Sequence, residues 1–263
     1  MKKLIAILLC SLMLVAVAAC AKTTDKPADV ANDVSAEADG NTDDEPIELP
    51  ELPFPDEPSE IMAGGWMIAE DNTITEERKA IFDKALAELL GVDYVPVAYL
   101  GSQVVAGTNH CFLTQATIVY PDAVPKCALV YLYEDLEGNV TLMNVADLPV
   151  VPNDDGTAVE PIGDETLDGG WAFAEDPTIT DEIRAKLEKA LAELVGASYE
   201  PIANIATQVV AGMNRCLLCK VTPVVPDAIP HYALVYVYED LEGGATLQFV
   251  IDFDFGALCT YGA

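Results

Sequence analysis

Apolar and polar positions alternate along this chain in two registers, and the change between them lays out a short helix followed by strands. Phe82, Ala85, Leu86, Leu89 and Leu90 recur at helical spacing, with Arg78, Lys79, Asp83, Lys84 and Glu88 on the opposite side. Thr73-Ile74-Thr75-Glu76-Glu77 supplies a capping threonine and acids for the positive end of the helix dipole, and Gly91 a C-terminal stop. Residues 94–102 and 108–120 are rich in β-branched and aromatic side chains and read as strands, with Gln103-Val104-Val105-Ala106-Gly107 as the hairpin loop between them. Residues 128–134 place Leu129, Tyr131 and Tyr133 on one face and Val130 and Leu132 on the other, and Leu136-Glu137-Gly138 turns into a last strand at 140–145. Met67 to Ala69 forms a short first strand.

The whole pattern then occurs a second time, displaced by 105 residues without a gap, and about 48 of the 82 positions in 64–145 match those in 169–250. A second helix runs from Thr180-Asp181-Glu182 through Ile183, Leu187, Ala190, Leu191, Leu194 and Val195 to Gly196. This is a duplicated unit of roughly 85 residues rather than a short-period solenoid. One helix lying across an antiparallel sheet is the expected α+β arrangement for each copy.

The ends differ from the repeats. Met1-Lys2-Lys3, an apolar run to Ala19 and Val17-Ala18-Ala19-Cys20 predict a secretory signal over residues 1–20. The small residues before Cys20 resemble the lipobox of bacterial lipoproteins, which implies acylation of Cys20 and a chain displayed outside the cell on a lipid anchor. Residues 21–60, acidic and proline-rich without period, read as a disordered tether. The expected division continues with a first domain at 61–150, a linker at 151–165 and a second domain at 166–263.

Charge narrows the partners. The chain carries 13 basic and 44 acidic side chains, a formal charge of −31. Loss of Lys2 and Lys3 with the signal leaves 11 − 44 = −33. Such a polyanion is repelled by nucleic acid and by anionic lipid, so no nucleic acid partner is expected and membrane contact only through Cys20. Self-repulsion favours a monomer.

Catalytic chemistry is sparse. His110 and His231 are the two histidines, and both read as surface strand residues. Cys111 adjoins His110 but points to the other face of a strand. Cys111, Cys127, Cys216, Cys219 and Cys259 are odd in number and share no disulfide framework between copies. Cys216-Leu217-Leu218-Cys219 lacks the helix N-terminus that activates redox thiols. No metal site, cofactor or enzymatic activity is expected.

Three motifs carry a resemblance. Gln-Val-Val-Ala-Gly at 103–107 and 208–212, the glycine pairs Gly64-Gly65 and Gly169-Gly170 about forty residues upstream, and Leu136-Glu137-Gly138 with Leu241-Glu242-Gly243 resemble the first hairpin, N-terminal glycines and second hairpin of the cystatins, and among them the stefins. That resemblance implies two tandem cystatin-like domains, each with one α-helix packed across a four- to five-stranded antiparallel β-sheet. It also implies reversible, tight inhibition of papain-like cysteine proteases. The protease-binding residues would be Gly64, Gly65, Gln103, Val104, Val105, Ala106, Gly107, Leu136 and Gly138, and in the second copy Gly169, Gly170, Gln208, Val209, Val210, Ala211, Gly212, Leu241 and Gly243. The sequence departs from the family at Glu137 and Glu242, which charge the second tip. Ile61-Met62-Ala63 ahead of the first glycines suits apolar pockets better than Leu167-Asp168 ahead of the second. The other reading of these residues is a non-inhibitory surface lipoprotein whose repeats bind proteins or act as spacers.

Overall fold

The computed structural model describes residues 64–152, 158–159 and 169–260, which belong to one compact unit. The first copy runs β1 (Trp66–Ile68), α1 (Glu76–Leu86), β2 (Val92–Val105), β3 (Gly107–Ile118), β4 (Lys126–Glu134) and β5 (Val140–Asp147). A small ribbon of β6 (Val151–Pro152) and β7 (Ala158–Val159) follows. The second copy runs β8 (Trp171–Phe173), α2 (Asp181–Ala190), β9 (Ala197–Val210), β10 (Gly212–Pro223), β11 (His231–Glu239) and β12 (Ala245–Phe253), then a 3₁₀ turn at Phe255–Leu258. Each copy is a five-stranded antiparallel meander in chain order.

The helices begin where the threonines predict. Thr75 Oγ1 accepts from the Arg78 amide at 3.3 Å and Thr180 Oγ1 from the Ile183 amide at 3.2 Å. They end earlier than their apolar spacing suggests. The Leu89 amide closes back on the Leu86 carbonyl, and Gly91 at φ +93° turns the chain into β2. Leu90 and its counterpart Val195 are therefore exposed rather than packed.

The expected α+β cystatin-like class is corrected by this architecture, which is mostly antiparallel β. Two five-stranded sheets share the largest core, in which Leu100, Leu113, Leu129 and Tyr131 of the first copy meet Ile205, Leu218, Tyr232 and Tyr236 of the second. The helices are minor partners on the outer faces: α1 fully buries only Phe82, and α2 only Ile183 and Leu187. The physical reason lies in the strands. Residues 127–132 of β4 and 232–237 of β11 are buried at every position, so each sheet has two apolar faces. A helix of three turns covers one of them, and the facing sheet covers the other.

Contacts between the sheets come in pairs related by the 105-residue shift. The Tyr232 hydroxyl donates to the Leu100 carbonyl at 2.7 Å, and the Cys127 thiol to the Ile205 carbonyl at 3.9 Å. Tyr131 donates to the Phe255 carbonyl, and Tyr236 to that of Val150 at 3.1 Å. Lys220 donates to the Glu70 carbonyl at 2.7 Å, and Gln115 to the Glu175 carbonyl at 2.7 Å. Residue i of one copy meets j of the other, and j meets i, which is the isologous rule of a two-fold dimer realised inside one chain. Leu100 and Ile205 fall at register shifts in β2 and β9, and their carbonyls, which accept the Ala69 and Ala174 amides of their own copies at 2.8 and 2.9 Å, are shared with the other copy.

Candidate functional site

Sheet order brings the three predicted segments of each copy to one end of its sheet. Trp66 pairs with Gln103, so Gly64 and Gly65 lie beside the first hairpin. That hairpin is tighter than expected. Gln103–Val105 continue β2, Gly107 opens β3, and Ala106 alone is the apex, with Val105 paired to Gly107. Glu134, the last residue of β4, pairs with Thr108, which sets the second tip at 135–139 next to the first. Val104, Val105, Ala106 and Leu136 are exposed, as are Gly64 and Gly65, and Gly138 is half-buried. The second copy assembles Gly169, Gly170, Val209, Val210, Ala211, Gly212, Leu241 and Gly243 in the same way on its own sheet. Cys20, the tether, Ile61 to Ala63 and Leu167-Asp168 lie outside the described residues.

Each glutamine ties its glycine segment to its hairpin. Gln103 is 8% exposed. Its amide nitrogen donates to the Gly64 carbonyl at 2.7 Å and its amide oxygen accepts from Asn109 Nδ2 at 2.7 Å. The Gly64 amide in turn donates to the Val104 carbonyl at 3.2 Å. Gln208 repeats the pattern on Gly169 at 2.7 Å and with Asn214 at 2.7 Å. Gln103 thus fastens the glycine segment to the hairpin, with Val104, Val105 and Ala106 exposed at the tip.

Tyrosine couples the tips. The Tyr133 hydroxyl donates to the Ala106 carbonyl at 2.5 Å, and Tyr238 to that of Ala211 at 2.6 Å. This closeness requires glycine at the next position. A Cβ on Gly107, which sits at φ +123°, would overlap the Glu134 carbonyl oxygen and lie 2.9 Å from the Tyr133 ring.

The second tip is an Asx turn. Asp135 Oδ1 accepts from the amides of Glu137 at 3.0 Å and Asn139 at 2.7 Å, and these bonds, with the Asn139 side chain foremost, hold its carboxyl below the usual range. Lys84 reaches from α1 to the Gly138 carbonyl at 2.6 Å. In the second copy Asp240 has the same role, and Lys186 and Lys189 share the Gly243 carbonyl at 3.0 and 3.2 Å. Sequence reasoning missed Asn109, Tyr133, Asp135 and Lys84 as supports of the tips. Their signal is present in the duplication, because each is retained at the 105-residue shift as Asn214, Tyr238, Asp240 and Lys189.

His110 is buried, which corrects its reading as a surface residue. Tyr99 Oη lies 2.9 Å from its Nδ1, and Glu134 Oε2 lies 3.2 Å from its Nε2, at the foot of the second tip. Burial holds its pKa below the usual histidine value, against the opposing bond from Glu134. The second copy places Arg215 there, with Glu239 at 2.8 Å and Asn204 at 3.1 Å. His231 is half-exposed and pairs with Asp252 at 3.3 Å.

The cysteines at 111, 127, 216, 219 and 259 are free thiols. Burial pushes Cys127 up to about 12, and Cys111, Cys216 and Cys219 also rise, so these groups stay protonated near neutral pH. No protein-family model matches the chain, and no curated protein matches it at a significant level.

Proposed function

We propose that the chain is a non-catalytic, reversible inhibitor of papain-like cysteine proteases, held outside the cell by a lipid on Cys20. The observation that carries this reading is the alignment of Gly64-Gly65, the Val104-Val105-Ala106 tip and the Leu136 tip along one end of a sheet. An edge of this kind is narrow, apolar at its points and cross-braced by Gln103, Tyr133 and Lys84. Such an edge enters a cleft and loses little conformational entropy in doing so. The resemblance of the three motifs to the cystatins supports the choice of target class, and the reading rests on the tips rather than on the fold. The formal charge of −31 favours proteases with a basic surface. The first edge is proposed as the tighter of the two, because an acid at 168, preceding Gly169 in sequence, would cost desolvation in an apolar protease pocket.

The test is a titration of papain with the chain from residue 57 onward. Inhibition at nanomolar to micromolar concentration, weakened by Ala106→Asp far more than by Ala211→Asp, is the expected result. No inhibition at micromolar protein would overturn the reading.

A further inference from the structure

The two candidate edges sit at different ends of the molecule, and the contacts between the sheets fix this arrangement. In the first copy the pairing of Val105 with Gly107 and of Thr108 with Glu134 marks the tip end of the sheet, and that of Val92 with Ile118 and of Ala116 with Lys126 the far end. In the second copy Val210 with Gly212 and Met213 with Glu239 mark the tip end, and Val221 with His231 and Ala197 with Pro223 the far end.

Trp66 pairs with Gln103 and so belongs to the tip end of its sheet. It shares a groove with His231 and Tyr232, the first residues of β11, and with Phe253, the last of β12, all at the far end of the second sheet. Lys220, next to Val221, donates to the Ala69 carbonyl at 2.8 Å, just past β1. The relation is reciprocal. Gln115, paired with Cys127 at the far end of the first sheet, donates to the Glu175 carbonyl at 2.7 Å, just past β8, whose Trp171 pairs with Gln208.

Each copy therefore lays the tip end of its sheet on the far end of the other. With the edges at one end, Trp66 would meet Trp171 and Gln208 instead of His231. From the far end beside Trp66, β11 runs nine residues to Glu239 before the second copy's tips begin, roughly 27 Å at about 3.4 Å per step. The contact between copies also leaves both edges open: Val105 and Leu136 on one, and Val209 and Leu241 on the other, are exposed with both copies in place.

We infer that one chain holds two papain-like proteases at once, one on each edge, without either hindering the other. This rests on the inhibitory reading of the edges and adds their stoichiometry and independence. Because the copies share one core, the spacing of the two edges is fixed, and filling one requires no movement of the other. Sites this far apart with no shared contact contribute additively.

The test titrates papain with the full chain at concentrations above the weaker of the two affinities, reading residual activity and sedimentation velocity together. The endpoint should fall at two enzymes silenced per chain, with a sedimenting species of that composition. Ala106→Asp and Ala211→Asp each alter an exposed apex residue and should each halve the endpoint, and the double variant should abolish it, all with unchanged thermal melting. The affinity left in each single variant should match that of the same edge in the parent within about twofold. An endpoint of one enzyme per parent chain, with both single variants still inhibiting at that endpoint, would show that the edges exclude one another and would overturn the inference while the inhibitory reading stands. An endpoint of one that Ala106→Asp abolishes and Ala211→Asp leaves unchanged would show a single working edge and would also overturn it. Absence of inhibition by the parent would overturn the inhibitory reading itself, and this inference with it.

Discussion

The amide nitrogen of Gln103 donates to the carbonyl of Gly64 across 2.7 Å, and this bond, nearly buried, joins the glycine segment to the first hairpin. Gln103→Ala removes it and also strips Asn109 of one acceptor. A lost hydrogen bond with a partner left buried costs about 1–3 kcal/mol. Urea unfolding should show a loss of this size. Papain inhibition should weaken by roughly the same factor, through faster dissociation, because the glycine segment is no longer held against the tip.

Gly107 gives a second, larger effect. Its φ of +123° and the overlap that any Cβ would make with the Glu134 carbonyl leave no room for a side chain. Gly107→Ala should cost more than about 1–3 kcal/mol, the cost of backbone strain alone, and should break the Tyr133 clamp on Ala106. Gly64→Ala is the contrast: φ is +96°, yet no atom lies within 4 Å of the added Cβ. That variant should be destabilised by strain only, so thermal melts of the two separate clash from conformation.

The shared core predicts how the copies behave apart. Residues 57–160 expressed alone would expose Leu100, Leu129 and Tyr131, which are fully buried in the core shared with the second sheet. Apolar area of this extent is worth about 25 cal/mol per Å². The single copy should therefore aggregate or form a two-fold homodimer by the same isologous contacts. Sedimentation showing a stable, cooperatively folding monomer would contradict the interface described.

The amino-acid pattern carries the local elements well and the layering poorly. Thr75, Thr180 and the 105-residue shift mark the helix starts and the duplication unambiguously. The hairpin ends are also legible, since Gly107 and Gly138 take the positive φ values that turns require. What misleads is the apolar content of β4. Leu129 and Tyr131 on one face and Val130 and Leu132 on the other are both readable, but a helix satisfies only one face, and the second demands another sheet. The bracing role of Gln103 is not legible in the pattern, because its hydrogen-bond partners Gly64 and Asn109 are 39 and 6 residues away and that pairing emerges only from the strand register.

Histidine at 110 links the stability of the first copy to pH. Its folded pKa is depressed below 6.5 by burial, so the neutral ring is the form the fold prefers. The unfolded chain binds the proton first as pH falls, and stability therefore declines from about 6.5 downward until the folded ring also protonates. The His110→Gln variant should lose this slope between pH 7 and 5, as measured by urea midpoints. Asp71, Asp135 and Asp176 have lowered values through side-chain and backbone hydrogen bonds, and Asp240 through backbone hydrogen bonds. Their contribution is present above 3.8 and is lost only below it, so the two effects fall in separate windows.

The thiols report which core opens first. Cys111, Cys127 and Cys216 lie in the core between the sheets, and Cys219 lies in the core under α2 with Ile183 and Leu187. Cys259 is partly exposed near the end of the chain. A thiol-specific disulfide reagent at pH 8, applied to the chain from residue 57, should modify Cys259 rapidly and the other four slowly, because protonated buried thiols react only when exposed. The slow reactions should themselves divide. Lifting α2 is a local event that exposes Cys219 without separating the sheets, whereas Cys111, Cys127 and Cys216 need the sheets to part. Cys219 should then react at a rate insensitive to Tyr131→Phe, while the other three accelerate together in that variant, which loses the bond to the Phe255 carbonyl. Mass-resolved labelling in which all four buried thiols move as one would mean that the helix and the sheet interface open in a single step.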